Sequence, residues 1–234
     1  MRRLLLCFLA FQLFSCAELQ QVVNQLPQNT PGIGNEEIAR GLKEALNFGI
    51  EKQVNKLTVK DGFFKNQLVK ILLPDELKKV DKTLRDVGLG KLADEGLRIL
   101  NRAAEDAVKE ATPIFVDAVK GISFNDAKQI LLGSDNAATS YLEGSTRAKL
   151  YEKFNPVIKN SFNKVGADQI WSNIITKYNN LPLTNDVNPD LTDYTTEKAL
   201  NGVFTMIAVE EKEIRTKLSS RTTDLLKKIF ALQD

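Results

Sequence analysis

Residues 89–120 read LGKLADEGLRILNRAAEDAVKEATPIFVDAVK, and the spacing within this stretch decides the fold. Its apolar and small residues recur from Leu89 and Leu92 through Ala93, Gly96, Leu100, Ala103, Ala104, Ala107, Ala111, Ile114 and Phe115 to Ala118. Steps of three and four define one face of an α-helix. Most of that face is Ala or Gly, so a neighbouring helix can approach closely. The stretch is therefore expected to be a central long helix packed on more than one partner. Pro113 has no N–H to donate and its ring crowds the preceding turn, which predicts a kink there or a restart capped by Thr112.

Working outward, Asn35 is a suitable N-cap, with Glu36 and Glu37 in the favourable first turn and Ile38, Leu42, Ala45, Leu46 and Gly49 on one face behind them. Ser123 followed by Asp126 has the spacing of a capping box, opening a helix that ends near Gly133. Further helices are expected at about 136–143, 146–164, 166–179, 194–217 and 220–231, with Pro156 kinking the second of these. The longest loop falls at 179–193. Val69, Ile71 and Leu73 alternate, so a short extended piece is expected around Leu68 to Pro74, amounting at most to a short β-hairpin. The predicted fold is all-α, a non-repetitive multi-helix bundle.

At the N-terminus, Arg2 and Arg3 lead an apolar run from Leu4 to Leu13, followed by Phe14-Ser15-Cys16. A spanning helix needs roughly 20 apolar residues, so the run fits a signal peptide better. Leu13-Phe14-Ser15-Cys16 resembles the lipobox of bacterial lipoproteins, although Phe14 stands where a smaller residue is usual. That resemblance implies cleavage before Cys16 and acylation of its sulfur and new amino terminus. The expected organisation is a signal peptide at 1–15, a flexible tether at 16–34 rich in Gln, Asn, Pro and Gly, and one helical domain at 35–234. The expected location is the bacterial cell envelope, lipid-anchored and facing the periplasm.

Composition narrows the chemistry. Loss of residues 1–15 would remove Arg2 and Arg3 from 32 basic side chains and none of the 30 acidic ones, leaving a balanced chain. Nothing in that balance gives the footprint of a binder of nucleic acid or anionic lipid, which would need clustered Lys and Arg. Of the 2 cysteines, Cys7 would leave with the signal, so no intramolecular disulfide is expected and stability must come from packing. Histidine is absent altogether. That removes the commonest general base and metal ligand, and no free thiol is left to replace them. No catalytic residue, metal or cofactor is expected.

With the helices placed, an ordered set of short elements resembles the bacterial domain-of-unknown-function family 4197. The set begins with Gly62-Phe63, Asn66 and Leu73-Pro74, then Asn101-Arg102-Ala103-Ala104-Glu105, Asp126-Ala127 and Ile130-Leu131. It continues with Ala137-Ala138-Thr139, Tyr141-Leu142, Thr146, Phe154 with Pro156, Ala199-Leu200 with Gly202, Glu210-Glu211 and Ile214-Arg215. The resemblance runs from about residue 36 to the end. It implies an exported, often lipidated, helical domain and brings no activity, substrate or catalytic residue.

Some constellations invite a sharper reading. Ser161-Phe162-Asn163-Lys164 and Ser134-Asp135-Asn136 match two elements of penicillin-binding enzymes, but in the wrong order and without K-T-G, so both read as ordinary helix and turn residues. Residues 185–190 (NDVNPD) offer oxygen ligands, yet lack the glycine and closing glutamate of a calcium loop. Arg98, Arg102, Glu105 and Lys109 share a helix face, most simply a solvated one. The stripe Leu200, Val203, Phe204, Ile207, Ile214 and Leu218 passes through Glu210-Glu211, so one glutamate must lie on or beside the buried face, with Arg102, Arg85 or Arg215 as candidate partners. Arg102, Glu105, Glu210, Glu211 and Arg215 are thus a candidate buried polar network.

These features favour a membrane-tethered, non-enzymatic binding or adaptor module, held to the membrane through acylated Cys16 and engaging an envelope protein. The alternative is a carboxylate-dependent hydrolase or lyase acting on an envelope polymer, which needs two carboxylates facing one polar cleft. A carrier of an apolar molecule would instead need an unfilled hollow along the small-residue stripe.

Overall fold

In the computed structural model, residues 34–164, 172, 173, 175, 176, 180 and 191–234 are described. Among them the chain forms eight α-helices and no strand: α1 (Asn35–Thr58), α2 (Asp75–Asp86), α3 (Gly90–Val108), α4 (Ala111–Lys120), α5 (Phe124–Leu131), α6 (Ala137–Lys164), α7 (Thr192–Thr216) and α8 (Asp224–Phe230). A 3₁₀ turn, Leu218–Ser220, separates the last two. Cys16 and the expected signal and tether lie outside the described residues, as do the 185–190 loop and most of the helix expected at 166–179. Residues Asn35–Asp234 make one compact unit.

The stretch that identified the fold is two helices rather than one. The chain breaks at Lys109 and Glu110, both exposed, and restarts at Ala111 with Glu110 as N-cap and no side-chain cap. Pro113 is the reason. It cannot donate to the carbonyl of Lys109 and its ring crowds that carbonyl, so the helix stops there. In the third position of α4 the missing N–H costs nothing, because the first four donors of any helix lack intrahelical partners. α3 keeps the central position expected of it, packing on α1, α2, α6 and α7. Ala103, Ala104 and Ala107 are at most 1% exposed, which is how so many neighbours reach one helix.

The opposite correction applies to 136–164, where α6 runs unbroken through Gly144-Ser145. Ser145 Oγ donates to the carbonyls of Tyr141 (2.9 Å) and Leu142 (3.2 Å), and Thr146 Oγ1 donates to that of Leu142 (2.6 Å). These hydroxyls bond back within the helix instead of capping a new one. Pro156 lies inside α6 on its exposed side, where the carbonyl of Glu152 can turn to water.

α7 is covered by α1, α3 and α6, which explains why its buried residues extend around more than one face. Phe115 of α4 meets Phe204 of α7 edge-to-face, with centroids 5.8 Å apart at 88°. Gly202 is required by a close approach: a Cβ there would stand 2.6 Å from Cε1 of the fully buried Phe63. The capping box of α5 forms as its spacing predicts. Ser123 Oγ accepts from the amide of Asp126 at 3.1 Å, and the Asp126 carboxylate accepts from the amide of Ser123 at 3.2 Å.

The alternating segment 68–73 does bury Val69, Ile71 and Leu73 and expose Leu68 and Leu72. Its backbone partner is a side chain. Asn101 Oδ1 accepts from the amide of Ile71 at 2.8 Å, and Asn101 Nδ2 donates to the carbonyl of Ile71 at 2.8 Å. The carboxamide thus takes the place of a neighbouring strand.

Candidate functional site

The candidate polar residues resolve into separate clusters, each built around a buried carboxylate. Glu211 and Arg215 sit four residues apart on α7, the arrangement in which one helix face aligns two side chains. Arg215 Nη2 and Nε donate to Glu211 Oε1 at 2.8 and 3.0 Å. The remaining capacity of both groups goes to the corner where α5 turns into α6. Glu211 accepts the amides of Ala138 and Thr139, each at 2.8 Å, and the Thr139 hydroxyl at 2.7 Å. Arg215 donates to the carbonyls of Leu131 (2.9 Å) and Ile130 (2.8 Å).

The sense of these contacts is electrostatic. The end of α5 carries unsatisfied carbonyls and partial negative charge, and it receives the guanidinium. The start of α6 carries unsatisfied amides and partial positive charge, and it receives the carboxylate. With the amide of Ala137 donating to Ser134 O and that of Ser140 to Asn136 O, each of the first four α6 amides has an acceptor. Ser134-Asp135-Asn136 is therefore the turn of this corner, with Ser134 Oγ donating to Asn136 Oδ1 at 3.0 Å.

One residue before Glu211, Glu210 faces α1. Lys52 Nζ donates to it at 2.6 Å and Gln53 Nε2 at 2.5 Å. Its partners are none of the arginines suggested by sequence: Arg102 pairs with Glu105, Arg85 with Asp81 and Asp94, and Arg215 with Glu211. Both glutamates of the pair are buried, where the stripe required only one, because α1 covers one side of α7 and the α5–α6 corner the other.

Glu105 on α3 is buried against the loop between α1 and α2, accepting the amide of Phe63 at 3.2 Å and Arg102 Nη1 at 2.9 Å. Arg102 itself is half exposed. Lys109, which could have met Glu105, pairs with Asp106 at 2.7 Å, and Arg98 is exposed beside Asp61 at 3.9 Å. The face is solvated except at Glu105. Phe63 packs where Gly202 opens α7, eight residues before Glu210, so the two carboxylates serve places about 12 Å apart along that helix.

Residues missed by sequence reasoning hold equal weight. Arg221 is 2% exposed and closes the end of α7, donating to the carbonyls of Ile214 (3.0 Å) and Arg215 (2.8 Å) while gripping the Asp234 carboxylate at 2.6 and 2.8 Å. That grip holds the Asp234 carboxyl below its ordinary value. Gln53 and Asn101 carried a readable signal, each lying at helical spacing within an apolar stripe (after Gly49, and between Leu97 and Ala104). Arg221 carried none, since nothing local distinguishes it from a surface arginine.

An open groove of about 730 Å³ runs along the outer face of α1, lined by Glu36, Lys43, Glu44, Phe48 and Glu51. The void between α1 and α7 beside Glu210, Glu211 and Arg215 measures about 20 Å³, room for one water. A third, of about 310 Å³, lies between α4 and α6 and is lined by Ile114, Asp117, Tyr141, Ser145 and Lys149. Burial pushes the Tyr141 phenol up, and Asp117 stands 3.7 Å from Lys120. Ser161 and Lys164 are residues of α6, the former 3.4 Å from the Asp106 carboxylate. Among the described residues no group of three or more His, Cys, Asp or Glu side chains is placed to hold a metal ion, and no helix is long and apolar enough to cross a membrane.

The profile of a family of proteins of unknown function, DUF4197, matches residues 32–231. The chain belongs to this family. No curated protein and no solved structure matches it. The DUF4197 region contains all eight helices and every buried carboxylate discussed above, whereas Asp234, the partner of Arg221, falls just past it.

Proposed function

We propose that this DUF4197 protein is a bacterial envelope lipoprotein, anchored through Cys16 and facing the periplasm, whose helical domain is a non-enzymatic binding or adaptor module. The observation that carries the module reading is the engagement of the buried carboxylates. Glu211 closes two helix ends, Glu210 joins α7 to α1, and Glu105 holds a loop amide. Acid–base hydrolysis of a polymer needs two carboxyl groups about 5–10 Å apart across one cleft. These three face different partners, and none of the α1 groove, the α1–α7 void and the α4–α6 cleft brings Glu105 together with Glu210 or Glu211.

The anchor reading rests on the residues around Cys16. Dual or triple acylation would hold the chain firmly, since each buried methylene contributes about 0.8 kcal/mol. Metabolic labelling with palmitate tests it: the wild type should label and Cys16→Ala should not, and equal labelling would end the proposal. Cross-linking in the native membrane tests the module. A discrete adduct with an envelope protein is expected, lost when Cys16→Ala frees the domain; no adduct in either chain would rule the adaptor out.

A further inference from the structure

The loop joining α1 to α2 exposes more apolar side chain than its rigidity would suggest. Val59, Leu68 and Leu72 are 57%, 63% and 55% exposed. They cannot fold inward, because the backbone on either side is held. Glu105 takes the amide of Phe63, Asn66 Oδ1 takes that of Leu68 at 3.1 Å, Asn101 takes both polar groups of Ile71, and Tyr194 donates to the carbonyl of Leu72 at 2.8 Å. Alternation does the rest: Val69, Ile71 and Leu73 point into the core, which leaves Leu68, Lys70 and Leu72 on the outer side.

Cations surround this apolar edge. Lys70 Nζ stands 4.3 Å from the Phe64 ring centroid and the Arg98 guanidinium 4.4 Å from it, so two positive charges stand against the half-buried ring. Lys60 and Lys65 are exposed in the same loop, and Lys198 lies 5.4 Å over the ring of Tyr194. The acidic groups facing the edge are Asp61, which meets Lys65 at 3.1 Å and Arg98 at 3.9 Å, and Asp75, which meets Lys78 at 2.6 Å. Basic side chains outnumber acidic ones here, although the chain as a whole is near balance.

We propose that the 59–72 loop docks on an anionic phospholipid surface, with Leu68 and Leu72 entering the headgroup boundary and Lys60, Lys65, Lys70 and Arg98 meeting lipid phosphates. Lysine separates this occupant from a protein partner. Interface cores between proteins are depleted in Lys, whereas Lys stems lie along apolar surface and raise their ammonium groups to phosphate. Two leucines flanking a lysine, beside an aromatic with a polar tip at Tyr194, suit the boundary between acyl chains and headgroups.

The inference rests on the proposed anchor for its geometry. The tether joins α1 at Asn35 and the loop leaves at Thr58, about 36 Å along the helix. The 18 residues between Cys16 and Asn35 can span about 60 Å, so anchor and loop can reach one bilayer together. Tethering raises the effective concentration of a loop that would bind weakly alone.

Quenching by phospholipids brominated in their acyl chains tests the docking on the full chain. The single native tryptophan is replaced (Trp171→Phe), and a reporter is placed by Leu68→Trp or, as control, by Leu218→Trp. Leu218 is 68% exposed and follows Tyr194 by 24 residues, at the far end of α7. In phosphatidylglycerol vesicles the Leu68→Trp reporter should be quenched and the Leu218→Trp reporter should not. Lys60→Glu with Lys65→Glu should weaken that quenching about tenfold in lipid concentration. No quenching at Leu68→Trp, or equal quenching at both positions, would overturn the proposal and leave the edge to a protein partner. Persistence of the Leu68→Trp signal in Cys16→Ala at higher lipid concentration is also expected. Failed palmitate labelling would then count against the anchor alone.

Discussion

At the α5–α6 corner, backbone groups left open by the fold are taken up by an ion pair from α7, whereas in the 59–74 loop they are taken up chiefly by one neutral amide from α3. The corner joins two helix ends, and helix ends are polarised: carbonyls at one, amides at the other. A separated positive and negative charge matches that pattern, and Arg215 with Glu211 supplies it. The loop instead presents the amide and the carbonyl of a single extended residue, Ile71. One carboxamide, with a donor and an acceptor side by side, matches that. The partner is chosen by how the backbone distributes its open groups, not by burial alone, since Asn101, Glu211 and Arg215 are all buried.

The comparison predicts different costs. Arg215→Ala should be the most damaging change, about 3–5 kcal/mol by urea unfolding, because it leaves the buried Glu211 charge without its counter-ion and removes a charged donor from two carbonyls. Glu211→Gln with Arg215→Met should cost less than the sum of the two single changes, and strict additivity would show that the pair does not act as a unit. Asn101→Ala should cost about 2 kcal/mol, as no charge is stranded and the loop backbone can turn partly to water. A loss as large as that of Arg215→Ala would break the distinction between corner and loop.

The smallest effect is expected at the outer end of the same charge system, where Asp234 holds Arg221. The hydrogen bonds from Arg221 lower the Asp234 pKa below the ordinary 3.8. A carboxyl depressed in the folded state stabilises above its unfolded pKa, and that contribution fades as pH falls through the folded value. The difference in urea midpoint between the wild type and Asp234→Asn should therefore be constant above about pH 5 and shrink below 3.8. A difference that grows on acidification would reverse the assignment.

The helical class was legible because the stripe from Leu89 to Ala118 repeats at helical spacing whether or not the helix is interrupted. The stripe continues in register across Lys109 and Glu110, so only Pro113 announced the interruption, and the restart it predicted is capped by Glu110 in place of Thr112. The pair Glu210-Glu211 could be singled out because an apolar stripe crosses it, yet Ala138 and Thr139, the partners of Glu211, lie 73 and 72 residues earlier, beyond any local pattern. Glu105 resembled a solvated residue because its own helix surrounds it with Arg102, Asp106 and Lys109. What buries it is a loop from another part of the chain.

Order of synthesis makes the α5–α6 corner a late part of the bundle to close, with only the seat of α8 on α1 and the Arg221–Asp234 pair to follow. Its open amides and carbonyls leave the ribosome 72 to 85 residues ahead of the glutamate and arginine that complete them. Until α7 has emerged, no shorter chain can satisfy that turn, and the helices on either side of it lack their final packing partner. Through that interval the turn stays open. The export proposed for this chain would gain from that delay, because Glu211 and Arg215 arrive in its final stretch.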